Sequence, residues 1–526
     1  MKNEFPYPSQ RMPVYGRAVA ATSQPLATQA AMAAFAEGGN ALDAALAAAI
    51  TLTVVEPVCN GVGGDAFALL WDGNTLHGWN GSGRSPRALT RGHFGNANAM
   101  PTTGWDTVTV PGQVDTWAQL HQRLGKLPFA SLFREGIRHA REGYPISPIT
   151  ASVWRQARER YTAFPHWNAA FAPPGLRLQA GEVFRLPELA DTLQEIAESG
   201  GESFYRGRLA ECIIRCARDE GGLLREEDLA AHHGDWVDPV SIPYHGTTAY
   251  EIPPNGQGLA TLIALGILQR TPIREFPGES VEALHLQVEA MKLAFQVAFA
   301  EIADPDHMKI TTEDLLSEER LAGLAGQIRL DRALAIPPQA VPGGGTVCLS
   351  TADASGMMVS YIQSNYAGFG SGVVVPDTGI ALQNRGSGFT LRRGHPNEVG
   401  PGKRPFHTII PGFVFRDGNP LFAFGLMGGH MQAQGHLQMI HRVVDRGENP
   451  QTASDAPRWQ VEPDFQLALE ESFPADMAEA LQHRGHRIIP GAPSSAFGGF
   501  QGVLRLPNGT YCAASDSRKD GHAAGR

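Results

Sequence analysis

Apolar residues recur at helical spacing from Gln24 to Glu37, an alanine-rich stretch stopped by Gly38-Gly39-Asn40, and again from Ala41 to Thr53. Two packed helices are expected there. A short apolar strand follows from Ala66 to Trp71, closed by the turn Asp72-Gly73. Helical periodicity returns at Val114 to Leu124, Phe129 to Glu142, Leu186 to Ser199 and Arg208 to Asp219, with proline-bearing loops between. From Val281, the residues Leu284, Val288, Met291 and Phe295 form one stripe of a long amphipathic helix that ends before Asp304-Pro305. Residues Ile336 to Gly345 are rich in proline and glycine, the composition of an exposed linker that a protease or a self-cleavage reaction can reach. Beyond it the texture changes to strands. Thr346 to Ala352 and Met357 to Ser364 flank the turn Asp353-Ala354-Ser355-Gly356 and predict a hairpin. Further strands are expected at Gly379 to Gln383, Ile409 to Phe415, Leu421 to Gly425 and Gly502 to Leu506. Helices first and strands later predict layered α/β packing.

Composition narrows the function classes. The 526 residues suggest about three domains as a length prior, and 42% apolar content supports a large core. With 18% charged residues and a net charge of -10, the chain lacks a polybasic nucleic-acid surface. Its first residues carry no apolar leader, and no window approaches the ~18 consecutive apolar residues of a spanning helix, so the cytoplasm is the default location and no membrane partner is expected. The five cysteines, at 59, 212, 216, 348 and 512, form no Cys-x-x-Cys pair. They are expected to be buried thiols rather than a disulfide framework or a zinc site.

The motif with the most chemistry is Gly343-Gly344-Gly345-Thr346. By itself it is a loop running into a strand. If the chain is cut before Thr346, one residue carries both a hydroxyl nucleophile and an α-amine of pKa ~7.7 to 8.0 that serves as its base. Gly61-Val62-Gly63-Gly64-Asp65-Ala66 fits a dinucleotide pattern only superficially, because a strand follows it where a helix is required. His430, His436 and His441 are spaced six and five apart rather than as a helical zinc pair, so no metal is expected. Arg84, in a glycine loop, could fork onto a carboxylate or simply be solvated. Gly428-Gly429, after an apolar strand, could aim backbone N–H groups at an oxyanion or be an ordinary turn.

Together these pieces resemble the γ-glutamyltranspeptidase family of N-terminal nucleophile hydrolases. The matching stretches are Glu37 to Ala45, Val55-Glu56-Pro57 with Gly61 to Gly64, Val110-Pro111-Gly112, Glu282 to Phe295 with Ala303-Asp304-Pro305, and Gly345-Thr346. They continue with Phe369 to Gly372, Pro401 to Pro405, Gly428-Gly429, Ala456-Pro457-Arg458 and Ala514-Ser515-Asp516. The resemblance implies an α/β (α+β) fold, a four-layer αββα sandwich, and a precursor that cleaves itself between Gly345 and Thr346. Residues 1–345 would then be a helix-rich large chain and 346–526 a small chain, joined as one intertwined catalytic unit, a heterodimer that could pair further into a dimer of heterodimers. Thr346 matches the family's nucleophile, Ser364 its supporting hydroxyl, Gly428 and Gly429 its oxyanion hole, and Arg84 its carboxylate-binding arginine.

The departures from the family concern the substrate. Gly388 stands where typical members have an aspartate for the glutamyl ammonium, and leaving that ammonium unpaired in a desolvated pocket would cost ~3 to 5 kcal/mol. Arg385 replaces a neutral glutamine, His407-Thr408 replace a pair of serines, and Tyr366 replaces an asparagine. A small anionic amide without an ammonium is therefore expected. The variants Gln363-Ser364-Asn365-Tyr366 and Gly429-His430-Met431-Gln432 resemble the branch of the family that hydrolyses oxamate to oxalate and ammonia, in purine or allantoin breakdown. No metal or organic cofactor is required for that chemistry. The alternatives are a γ-glutamyl hydrolase or transpeptidase acting on glutathione-like amides, an acylase cutting a larger amide, and a non-catalytic binding protein on the same scaffold.

Overall fold

Two seven-stranded antiparallel sheets face each other between two layers of helices in the computed structural model, which describes residues 10–335, 345–462 and 464–526. The first sheet runs His522–Gly525, Val19–Thr22, Gly345–Ala352, Met358–Tyr366, Asp65–Trp71, Leu76–Asn80, Asp235–Val237. The second runs Val14–Gly16, Tyr511–Ser515, Gly499–Arg505, Asn419–Met427, Gly412–Arg416, Thr247–Glu251, Val240–Tyr244. The fold is thus the α+β, four-layer sandwich.

Each sheet draws strands from both sides of Gly345. Leu349 lies opposite Thr22, Ser364 opposite Asp65, and Phe413 opposite Tyr250. The length prior of about three domains gives way to one interleaved unit, because neither sheet is complete without both parts of the chain.

On the first sheet lie Pro25–Ala36 and Ala41–Val55. The second of these is buried along its whole length, and its alanines let sheet and neighbouring helices approach on every side. Asn40 and Asp43 close a reciprocal capping box at its start. The second sheet is covered by Gly258–Leu268 and Met431–Ile440, with the long helix Val281–Glu301 packed on the former.

Several expected elements shift for identifiable reasons. The helix expected from Phe129 to Glu142 divides into a 3-10 turn, Phe129–Phe133, and a helix, Arg134–Glu142; the tighter turn delivers Leu132 and Phe133 together into the core. The strand expected from Gly379 to Gln383 shrinks to Ile380–Ala381, since the amides of Leu382 and Gln383 bond to Val373 and Gly63 in loops. The strand expected from Ile409 starts at Gly412, because the Ile409 and Ile410 amides bond to the side chains of His407 and Gln432. The linker expected up to Gly345 lies, from 336 to 344, outside the described residues.

All five cysteines are buried and unpaired. Among the described residues, no helix is long and apolar enough to cross a membrane. One buried group, His285, Glu289 and His486, has the donor types of a metal site. Its hydrogen bonds nevertheless form a continuous chain. His285 Nε2 bonds to the Arg329 carbonyl at 2.7 Å, and its Nδ1 faces His486 Nε2 at 2.8 Å. His486 Nδ1 faces Lys292 Nζ at 3.1 Å, and Nζ donates to Glu289 at 2.8 Å. Glu289 also takes the Leu334 amide at 2.6 Å. The Lys292 ammonium already bonds two of the three donor groups, and through His285 and Glu289 the cluster braces the 329–334 segment.

Candidate active site

Thr346 is the second residue of the strand Gly345–Ala352 and is 1% exposed. The pairing with Met358–Tyr366 slips between Gly345 and Val347, so Thr346 sits in an irregularity where its side chain can leave the sheet's alternation. Tyr366, opposite Gly345, has φ of 76°, a left-handed conformation unusual for an aromatic residue. Backbone strain is concentrated at this junction.

The Ser364 hydroxyl is the hub. It donates to the Gly345 carbonyl at 2.7 Å and accepts from the Tyr366 amide at 2.7 Å. Thr346 Oγ1 lies 3.4 Å away and a guanidinium nitrogen of Arg385 3.3 Å away. Hydrogen bonding to the Gly345 oxygen polarises the carbonyl that a Thr346 hydroxyl would attack in breaking the 345–346 bond.

Gly428 and Gly429 have φ of 119° and 63°, and turn the strand Asn419–Met427 into the helix Met431–Ile440. The glycine pair thus stands at a helix N-terminus, a setting suited to negative charge. Gln432, in the first turn of the helix, donates from Nε2 to Thr346 Oγ1 at 3.2 Å and links the two elements. Gln257 braces the turn by donating to the carbonyls of Thr408, at 2.5 Å, and Gly429, at 2.9 Å.

Arg385 begins a 3-10 turn, Arg385–Gly388, and is fully buried. Its guanidinium bonds Thr408 Oγ1 at 2.9 Å and stands 4.3 Å above the Tyr366 ring, while its Nε has no hydrogen-bond partner. Burial lowers its pKa to about 10, against the favourable charge of Asp65. Asp65 itself is saturated: it accepts from the amides of Gly112 and Gly83, at 3.0 and 3.3 Å, and from Gln383 Nε2 at 3.3 Å. His407 contacts it at 3.2 Å through Nε2. Because His407 Nδ1 accepts from the Ile409 amide, Nε2 carries the proton, and burial with the charge of Arg385 keeps this imidazole neutral. Arg385 is therefore a buried cation that, among the described residues, touches hydroxyls and an aromatic face but no carboxylate oxygen at hydrogen-bond distance.

Burial raises the pKa of Asp65 to about 7, with Arg385 and the amides of Gly112 and Gly83 pulling it back. Below that pH Asp65 is protonated and the positive charge of Arg385 is uncompensated; above it the carboxylate cancels that charge. KM for an anionic amide is expected to rise roughly 10-fold between pH 6 and 8. Asp65→Asn should flatten that rise in a steady-state pH series.

The structure brings together Gly345, Thr346, Ser364, Tyr366, Arg385 and Thr408 in direct contact, with His407 joined through Asp65 and Gly428-Gly429 through Gln432 and Gln257. The described contacts do not bring Arg84 to this cluster. Its guanidinium pairs with Asp304 at 3.0 Å and the Gly402 carbonyl at 3.2 Å, on a separate cavity of ≈ 190 Å³ lined by Arg87, His232 and His233. Gly388 is constrained by packing: a Cβ there would come within 2.6 Å of the Phe406 carbonyl oxygen, so an aspartate cannot be accommodated without moving backbone. His430, His436 and His441 face separate partners, Gln257, Glu251 and Asp445. Gln257 is a site residue that sequence reasoning does not single out, while Asp65 and Gln432 are quoted there only within motifs and given no role of their own. The available signal for Gln432 is its place in a helix that is buried throughout yet carries four polar side chains, Gln432, Gln434, His436 and Gln438.

A family model for gamma-glutamyltranspeptidase matches residues 27–526. Over 510 residues the chain is 36% identical to a glutathione hydrolase-like proenzyme of Bacillus subtilis, spanning 95% of this chain and 97% of that protein. Over 532 residues it is 34% identical to the oxamate amidohydrolase proenzyme of Klebsiella pneumoniae, spanning 98% and 99%. The crystal structure of cephalosporin acylase from Bacillus halodurans is similar with a TM-score of 0.95 at 46% identity, covering 100% of this chain and 99% of that one.

Proposed function

The chain belongs to the γ-glutamyltranspeptidase family, whose members act on amide bonds, and from that premise we propose a self-processing amidohydrolase of small anionic amides, with oxamate the leading substrate. Thr346 is the nucleophile. In the precursor its hydroxyl attacks the Gly345 carbonyl, and water opens the resulting ester to leave chains 1–345 and 346–526 associated as one heterodimer. In the cut enzyme the α-amine of Thr346 takes the hydroxyl proton as Oγ1 adds to the substrate carbonyl. Gly428 and Gly429 hold the oxyanion, the amine returns the proton to the departing nitrogen, and water resolves the acyl-enzyme.

The observation that carries the substrate class is Arg385, a buried guanidinium 3.3 Å from Ser364 Oγ that has, among the described residues, no partner for its Nε and no carboxylate bonded to it. A substrate carboxylate supplies the direct bond that Asp65, whose charge acts on Arg385 from beyond hydrogen-bond distance, does not. With a carboxylate attached directly to the amide carbon, oxamate suits a cation this near the nucleophile, and the relative at 34% identity supports it. Gly388, which cannot gain a side chain in place, argues against a substrate ammonium and thus against γ-glutamyl peptides. A second reading, an acylase of larger amides, is favoured by the 46% identity to the cephalosporin acylase.

Ammonia release from oxamate and malonamate and urea release from oxalurate, beside amine release from a γ-glutamyl anilide and an N-acyl β-lactam, separate these readings. Turnover is expected with oxamate and absent with the anilide. No ammonia from oxamate removes it as substrate.

A further inference from the structure

We propose that Gln432 is a catalytic residue whose side-chain N–H holds the negative charge on Thr346 Oγ1 when that oxygen leaves an ester; this rests on the reading of Thr346 as the nucleophile. Gln432 is fully buried in the first turn of the helix Met431–Ile440. Its side-chain amide has one orientation. The backbone N–H of Ile410, which can only donate, meets Oε1 at 3.1 Å, so Nε2 is the end that faces Thr346 Oγ1 at 3.2 Å. The Ile410 amide is free to do this because the strand that follows begins only at Gly412. Nε2 is a donor alone, and its hydrogen takes a lone pair of Oγ1.

The second partner of that oxygen fixes where the threonine proton points. Among the described residues, Thr346 Oγ1 meets Ser364 Oγ, at 3.4 Å, and Gln432 Nε2. Ser364 gives its own hydrogen to the Gly345 carbonyl at 2.7 Å and is left to accept from Thr346. The hydroxyl thus donates toward Ser364 and accepts from Gln432. A donor held in this way acts differently on the two halves of an acyl transfer. It makes Oγ1 less basic during attack and a better leaving group during departure, because an N–H bonds an alkoxide more strongly than it bonds an ester oxygen.

Departure occurs twice. In maturation Oγ1 adds to the Gly345 carbonyl, the C–N bond breaks, and the hydroxyl proton ends on the Thr346 nitrogen. Water then adds to the ester carbonyl and the C–Oγ1 bond breaks with its electron pair left on Oγ1. One proton of the water restores the hydroxyl, the other goes to the Thr346 amine, and Gly345 is left with a carboxylate. In turnover the acyl-enzyme opens by the same bond cleavage. Gly428 and Gly429 serve the carbonyl oxygen in both reactions, so the charge that builds on Oγ1 falls to Gln432.

The test follows division of the newly synthesised full chain at 345–346, which needs no substrate. Gln432→Met keeps the bulk and removes the N–H, and is expected to split ~10²-fold more slowly, the scale of one lost oxyanion donor. Hydroxylamine, a stronger nucleophile than water, should open the waiting ester in the folded variant and speed its splitting at least ~10-fold. Gln432→Glu keeps the shape and the acceptor for Ile410; its rate relative to wild type should rise as the pH falls from about 8 to about 5, as the carboxyl gains an O–H to donate. A folded Gln432→Met chain that splits within about twofold of wild type overturns the inference. So does a slow one that hydroxylamine does not speed, since its block lies before the ester. If Gln432→Met does not fold, a Gln432→Glu ratio that stays flat with pH overturns it. A wild-type chain that never splits, or a Thr346→Ala chain that does, overturns the reading of Thr346 and this inference with it; failure confined to the Gln432 variants leaves that reading standing.

Discussion

Thr346→Ala is expected to leave the 56.5 kDa chain in one piece and to lower amide hydrolysis by on the order of 10⁶-fold in kcat. Both losses have one origin, the hydroxyl that meets Ser364 Oγ at 3.4 Å and Gln432 Nε2 at 3.2 Å. Thr346→Ser keeps that hydroxyl and should still split, more slowly, because the lost methyl frees its rotation. Intact mass spectrometry over hours reads the first effect and ammonia release the second. An alanine variant that divides at the same bond would mean that an outside protease makes the cut.

Arg385→Gln carries the second large effect, with opposite signs in two measurements. Activity on an anionic amide should fall 10²- to 10³-fold in kcat/KM, the scale of a buried charge pair losing a partner, ~3 to 5 kcal/mol. Stability should hold or rise, since the wild type keeps a cation out of water with its Nε unbonded. Arg385→Lys retains the charge but not the planar fork and should lie between the two in activity. Thermal melts alongside kinetics decide the case: a glutamine variant that melts markedly earlier and loses activity in proportion would make Arg385 a structural arginine.

The layers and the junction are legible in the sequence because they depend on local signals. Apolar spacing reveals the helices through Val55 and from Val281, and two apolar runs around Asp353 to Gly356 reveal the hairpin that sets Ser364 beside Thr346. The surroundings of Arg385 are not legible in that way. Asp65 opens a strand just after a glycine loop and meets His407 only because two sequence-distant segments converge. Arg84 shows the reverse: its loop reads as a carboxylate site, yet Asp304, 220 residues away, already supplies the carboxylate. Gly388 reads as a missing aspartate, whereas in three dimensions the Phe406 carbonyl holds the position to glycine. Charge compensation in the interior is decided between distant segments, and spacing does not record it.

Leu349 beside Thr22 and Ser364 beside Asp65 have a kinetic consequence for a chain divided at residue 345. While folded, the divided molecule keeps every such pairing. Once melted, its two pieces must meet again by diffusion before either sheet can re-form, competing with aggregation of exposed strands. The divided form then endures through slow unfolding rather than ready refolding, and maturation makes heat inactivation a one-way event.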